Sequence, residues 1–304
     1  MNILLRVLED PGDLIAVEDL QRQVWSGSET EIVPAHMLIA ASHNGGLVIA
    51  AFDEDADAES PMVGFVYGFP GLYSTPDGPR TKHCSHMMGV LPAYRDQGIG
   101  YSLKRAQWQM VRNQGLDRIT WTFDPLLSRN AHLNITRLGA VCNTYLRSVY
   151  GELRDDINAG LPTDRFQVDW WVNTERVARR LSRQARPSLD LAHFLAAGAK
   201  VLNPSRMDAD GFPQPAPDQS PKSSETGLGT GADNAQPAIW LVEIPADFSS
   251  LKESDPQLAI EWRLHIRAVC EDLFTRGYLV TDFVYLPGLQ PRSFYVLSHG
   301  ESTL

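Results

Sequence analysis

The chain has 304 residues, with 27 Lys and Arg against 37 Asp and Glu, a formal net charge of −10, and 43% apolar residues. So acidic a balance lacks the basic face of a general nucleic-acid binder, and the length suggests one main domain with an appendage. Only Cys84, Cys142 and Cys270 are present, with no C-x-x-C pair, which argues against a disulfide scaffold or a structural zinc site; no bound metal is expected.

The first six residues lack the length and flanks of a signal peptide, and no apolar run is long enough for a bilayer, so the expected setting is the cytoplasm, away from membranes. Residues 3–8 read as a short strand. Asp13 is placed to cap a helix carrying Leu14, Val17, Leu20 and Val24 at helical spacing, and Pro34 to open a second helix that ends at Gly45 and Gly46. Residues 47–52 and 62–67 read as paired strands, joined by an acidic hairpin loop over residues 53–59. Residues 69–80, rich in Gly and Pro, read as a loop that is either a lid or a connector.

Residues 84–90 form the next strand, which runs into Leu91, Pro92, Ala93, Tyr94, Arg95, Asp96, Gln97, Gly98, Ile99 and Gly100. This is a strand end, a tight glycine-bearing loop and the first turn of a helix, a junction that gathers unpaired N–H groups and the positive end of a helix dipole. Glycine lets phosphate oxygens approach main chain that a Cβ would shield. The helix places Ile99, Leu103, Ala106 and Met110 on one stripe, with Lys104, Arg105, Gln109 and Arg112 elsewhere, and ends at Gly115. A strand with Ile119, Trp121 and Phe123 stops at Asp124 and Pro125; a helix over residues 128–138 and strands at 145–150 and 165–172 follow. The order β-α-α-β-β-β-α-β-α-β-β implies one parallel pairing in an otherwise antiparallel sheet.

Residues 173–203 read as a helical connector, and 204–237 as a Pro-, Gly- and Ser-rich linker. Residues 238–304 read as a β-α-β-β unit whose helix opens at Asp255 and Pro256. Its core is too small for independent folding, so it packs on the first domain or on a second copy of the chain, as in a homodimer. The fold class is α/β (α+β): a mixed, mostly antiparallel central sheet flanked by helices, plus this small unit.

Over residues 1–172, the element order together with Arg95, Gly98 and Gly100 resembles the GNAT superfamily of acetyl-CoA-dependent N-acetyltransferases. There is no Gly-Lys-Ser/Thr ending, as a nucleotide hydrolase loop would have, and hairpin-like strands precede the loop, against a Rossmann unit. The resemblance implies acetyl-CoA as co-substrate. The amides of the loop with Arg95, Gln97, Gly98, Ile99 and Gly100, and Tyr101 at the helix start, would hold its pyrophosphate. Main chain at Met88 and Val90 would pair with the pantetheine arm, and Asn130 would contact that arm or cap its helix. The simpler reading is that Gly98 and Gly100 only let the helix pack closely.

Amine acetylation requires loss of an ammonium proton, polarisation of the thioester carbonyl and stabilisation of the thiolate. His86, on the strand entering the loop, is the candidate base; the alternative is a half-buried strand histidine bonded to a neighbour. Asp124 is the rival base or an anchor for a cationic acceptor, or else a helix cap. Where the resembled family carries a tyrosine that protonates the thiolate, this chain has Ile135, which leaves the donor open among Tyr145, the candidate acid, Tyr150, His132, Asn134 as a hydrogen-bond donor, and solvent or a helix N-terminus. The sequence thus points to an N-acyltransferase moving an acetyl group from acetyl-CoA to a small or amino-acid-like amine. The alternatives are a catalytically weak CoA-binding sensor and an interaction module.

Overall fold

The computed structural model describes all residues except 1, 26–28, 30–31, 57–61, 152–160, 183–187, 210, 217–236 and 300–304. It divides into two compact units. Described residues up to 121 and from 169 to 181 form the first; those from 122 to 168 and from 182 onward form the second. The division falls within two strands and not at residue 172. Most of the linker expected over 204–237, and part of the acidic loop expected over 53–59, lie outside the described residues.

In the first unit, β1 (Ile3–Val7) pairs antiparallel with β2 (Leu47–Asp53), and β2 with β3 (Met62–Thr75). Two helices, α1 (Pro11–Val24) and α2 (Ala35–His43), connect β1 to β2. The cap of α1 is Asp10, which accepts from the Gly12 N–H, and not the expected Asp13. Pro11 fixes the first helical φ and so starts the helix before Asp13, which instead meets Arg6 at 3.0 Å. Similarly, Pro34 is the N-cap of α2 and lies just outside its first turn.

The segment 69–80, expected as a loop, is sheet. β3 and β4 (Gly78–Val90) form one long antiparallel hairpin with pairs from Gly64↔Val90 to Thr75↔Gly78, turned at Pro76 and Asp77. Proline and glycine there sit where strand pairing tolerates them, so punctuation by composition overstated the break. α3 (Ile99–Asn113) returns the chain to β5 (Arg118–Phe123), whose first residues run parallel to β4. β2 is apolar on both sides because both are covered. Val48 and Ala50 join Leu14, Val17 and Leu38 of α1 and α2, while Ile49 and Ala51 join Ile99 and Leu103 of α3.

In the second unit, α4 (Ser128–Ala131) continues as a π-helical turn (His132–Arg137) before β6 (Val141–Leu146). β7 (Arg165–Trp171) leaves this unit after Val168 and leads to α5 (Glu175–Leu181) of the first. Then come α6 (Leu191–Ala196), the two-residue strands β8 (Lys200–Val201), β9 (Arg206–Met207) and β10 (Pro213–Gln214), and β11 (Ile239–Ile244). α7 (Phe248–Ser254), α8 (Pro256–Thr275), β12 (Tyr278–Leu286) and β13 (Arg292–His299) complete the chain. β13 pairs antiparallel with β11 and β12, and β12 with β6. α8 begins as expected, with Asp255 accepting from the Leu258 N–H and Pro256 in the first turn. Its buried Leu258, Trp262, Ile266, Val269 and Leu273 recur every three or four residues, the mark of a helix with one covered face. Phe123, Tyr145, Phe166, Phe283 and Tyr295 meet edge to face in the core of this unit.

Candidate active site

The site in the first unit begins with a misfit between two strands. Along the β3–β4 hairpin, Tyr67 faces Met87 and Gly68 faces Ser85, so His86 is the extra residue of a β-bulge. A bulge bends its strand, and here it follows directly on the last contact between β4 and β5. Among the described residues their parallel pairing consists of His83↔Ile119 and Cys84↔Thr120. Beyond these, among the described residues, no pairing joins the two strands, so the edge of β4 from Ser85 to Val90 has no strand partner on that side.

That edge leads into the loop. Pro92–Tyr94 make a 3₁₀ turn, Asp96 and Gly98 adopt positive φ of 63° and 81°, and α3 starts at Ile99. Arg95 Nε donates to the Val90 carbonyl at 3.2 Å and Gln97 Nε2 to the Ala93 carbonyl at 3.0 Å. Both side chains fold back on the loop, so what it presents is mainly backbone. No side chain caps α3, and the first intrahelical bond recorded at its start is Ser102 N–H to Gly98 carbonyl. The amides of Ile99 and Gly100 precede it and have no acceptor within the helix. A Cβ at Gly98 would meet no protein atom within 4 Å; the space beside it is open. Met88 lies against Gly100, where a Cβ would come 3.4 Å from Met88 Cε.

His86 is exposed, with its ring edge-on to Tyr67 at 5.8 Å and tilted on Phe69 at 5.8 Å. Partial desolvation by these rings holds its pKa below the ordinary 6.5, so the imidazole is neutral and able to accept a proton at neutral pH.

Beneath the point where β4 and β5 part lies a polar cluster absent from the sequence-based candidates. Lys104, expected on the outer side of α3, is 3% exposed. Its Nζ meets Ser85 Oγ at 2.7 Å and Gln107 Oε1 at 3.3 Å, and lies 3.7 Å from the centre of the Trp121 ring. The buried stripe is Ile99, Leu103, Gln107 and Val111, strictly four apart, with Lys104 beside it. Aliphatic spacing alone puts the stripe through Ala106 and Met110, because it passes over Lys104 and Gln107, which find buried partners on β4. A clue was there: Lys104 and Gln107 are three apart, and His83 and Ser85 share one side of β4.

Gln107 Nε2 lies 3.2 Å from His83 Nε2, so the amide donates and the ring proton falls on Nδ1, which is buried without a hydrogen-bond partner. Gly68 makes room for this ring, since a Cβ there would sit 2.2 Å from His83 Nε2. Burial first, and the Lys104 charge second, push His83 down to about 3. Burial likewise pushes Lys104 down to about 7, with Cys84 acting weakly in the opposite sense. In the unfolded chain Lys104 titrates near its ordinary 10.5, so the unfolded state binds this proton more tightly. Stability from this group is therefore complete above that value and declines as pH falls towards 7. Urea denaturation at pH 7 and pH 10 should show a rise in stability for the wild type that Lys104→Met lacks.

The remaining sequence candidates lie in the second unit. Both oxygens of Asp124 accept from Arg263, at 2.7 and 2.6 Å, and Oδ1 also accepts from the Leu126 N–H at 2.9 Å. The carboxylate is thus engaged by a buried guanidinium and by the turn it caps. Tyr145 donates to Asp164 Oδ2 at 2.8 Å, and Asp164 is also clasped by Arg267. Burial, then the Asp164 charge, raise the Tyr145 phenol well above its ordinary value. Asn130 is half-buried on α4, and Ile135 is fully buried in the π-helical turn. A separate cavity of about 480 Å³ in this unit is lined by residues that include Arg129, His132, Asp190, Phe283 and Tyr285. Among the described residues no group of three or more His, Cys, Asp or Glu is placed to hold a metal, and no helix is long and apolar enough to cross a membrane.

No family model and no curated protein matches the sequence. Solved structures do. A GNAT-family protein from Desulfovibrio desulfuricans shares 18% identity, covering 56% of this chain and 99% of its own, with a TM-score of 0.43. Arabidopsis thaliana NAA60, solved in complex with acetyl-CoA, shares 17% over 57% of this chain and 100% of its own, with a TM-score of 0.46. The ribosomal-protein-S18-alanine N-acetyltransferase of Escherichia coli shares 14% over 57% of this chain and 96% of its own, with a TM-score of 0.42. Identities at this level concern the fold alone. Each of these similarities spans a little more than half of this chain and nearly the whole of the other.

Proposed function

We propose that this chain transfers an acetyl group from acetyl-CoA to the amine of a small or amino-acid-like acceptor by direct attack. The observation that carries the reading is the unpartnered edge of β4 running into the uncapped start of α3. An extended ligand arm bearing amide groups can add to such an edge through main-chain hydrogen bonds. A pyrophosphate at its end suits the open amides and positive dipole of a helix start. From Ser85 to Val90 the strand covers roughly 17 Å at the usual rise per residue, which suits a pantetheine arm. In this reading Met88 and Val90 offer main chain to the arm, and the loop from Arg95 through Gln97 and Gly98 to Ile99, Gly100 and Tyr101 holds the pyrophosphate.

His86 takes the proton from the acceptor amine. Its placement on the bulge, two residues after the last residue of β4 that pairs with β5, and its neutral ring support that role. Thermal stabilisation by acetyl-CoA and CoA, but not by ATP, is the expected first result; no response to any CoA species would remove the assignment. Thiol release over a panel of amines then measures turnover. His86→Ala should leave acetyl-CoA affinity within about threefold while lowering kcat by roughly 10²–10⁴-fold, the usual range for a lost general base. The wild-type rate should fall on acidification below pH 6.5, and that limb should vanish in the variant. Unchanged kcat would exclude His86.

A second reading, a CoA-binding sensor without turnover, is favoured by Ile135, which offers no proton where the resembled family has a tyrosine. Binding without thiol release across the amine panel would select it.

A further inference from the structure

We propose that Ser85 and Lys104 together deliver the proton to the departing thiol, Ser85 as the catalytic donor and Lys104 as the positioning residue behind it. This rests on the acyl-CoA reading above and supplies the group that Ile135 cannot.

The argument is one of placement. Cys84 and Thr120 are the last paired residues of β4 and β5, and the next residue on each strand is Ser85 and Trp121. Lys104 Nζ reaches both from below, at 2.7 Å from Ser85 Oγ and 3.7 Å from the Trp121 ring centre. An ammonium has three N–H groups, and here they meet Ser85 Oγ, Gln107 Oε1 and the face of Trp121. Because Ser85 Oγ accepts from Lys104, its own hydrogen is available to a third group, at the base of the cleft. A thioester drawn along the β4 edge from the loop ends there. The ionisable groups facing Lys104 from β4 are His83 and Cys84; β5 presents Trp121 and α3 presents Gln107.

The step balances. As the acceptor nitrogen bonds to the carbonyl carbon, the C–S bond breaks and its electron pair goes to sulfur. Sulfur takes the Ser85 hydroxyl proton, Ser85 oxygen takes one from Lys104 Nζ, and Lys104 is left neutral. The proton lost by the acceptor amine goes to His86 and on to solvent, from which Lys104 is recharged.

A test with a readout besides turnover uses CoA itself. Calorimetry first establishes CoA binding to the wild type, Lys104→Met and Ser85→Ala; no binding to the wild type overturns the acyl-CoA reading and this inference with it. The ultraviolet thiolate band of bound CoA is then followed against pH. In the wild type it should appear at lower pH than for free CoA, and in both variants this advantage should be lost while CoA affinity changes less than about threefold. Turnover should fall by roughly 10²-fold with acetyl-CoA, as for removal of a general acid. If the variants bind CoA and its thiol titrates as in the wild type, the inference is wrong. Should Lys104→Met fail to fold, Ser85→Ala removes a single buried oxygen and gives the same readout.

Discussion

Gly98→Val should abolish coenzyme A binding while leaving the first unit folded. Gly98 has φ of 81°, a conformation that costs an ordinary residue roughly 1–2 kcal/mol, with a further penalty for a β-branched one. The protein places nothing within 4 Å of the added Cβ, so no core clash is added to this backbone strain. The new side chain instead stands in the open space beside the amides of Ile99 and Gly100, where the pyrophosphate is proposed to sit. Affinity should therefore fall by about 100-fold or more, near 2.8 kcal/mol, while the melting temperature drops only a few degrees. Calorimetry with CoA and a thermal melt of the same sample separate the two. Gly98→Ala should act in the same direction with a smaller loss. If Gly98→Val binds CoA as the wild type does, the loop does not hold the pyrophosphate and Gly98 serves only the entry into α3.

Arg263→Ala should be the most destabilising single change in the second unit. Arg263 is 1% exposed and Asp124 9%, and they meet through two parallel hydrogen bonds. Removing the guanidinium strands a buried carboxylate, which typically costs about 3–5 kcal/mol. Arg165, 3.9 Å from Asp124 Oδ2, is the nearest remaining cation and should hold the loss towards the lower end. Urea denaturation reads this as a lower midpoint. As a control, Arg6→Ala removes the exposed pair with Asp13 and should cost well under about 1 kcal/mol. The double variant Asp124→Leu/Arg263→Met should recover much of the loss, because no charge is then left unpaired. If Arg263→Ala proves as mild as Arg6→Ala, the pair is not the structural element its burial indicates.

The same pair illustrates what local sequence withholds. Asp124 stands before Pro125 at a strand end, a position equally suited to a cap, a base or an anchor. Arg263 is 139 residues away in α8, where it occurs within an otherwise apolar stripe. Nothing in the spacing joins them. Tyr145 is similar: as a lone phenol it is a plausible acid, and it becomes a donor to Asp164 only once β6 and the segment before β7 fold together. His86 fared differently. Its place on the strand entering the loop is visible in the chain order, but the bulge that separates it from its neighbours arises from the register of β4 on β3.

Short-range chemistry is what the residues by themselves determined. Gly98 permits a left-handed turn, Pro256 opens a helix, and the order of apolar periods lays out the succession of strands and helices through β7. A tight glycine-bearing loop between β4 and α3 was therefore legible, as was one parallel pairing in an antiparallel sheet. Tertiary structure alone decided which charged groups are buried and against what. Lys104 looks like a solvated helix lysine until β4 and β5 close over it, and its lowered affinity for a proton comes wholly from that desolvation. Burial and long-range pairing depend on elements distant in sequence, and no window along the chain contains them.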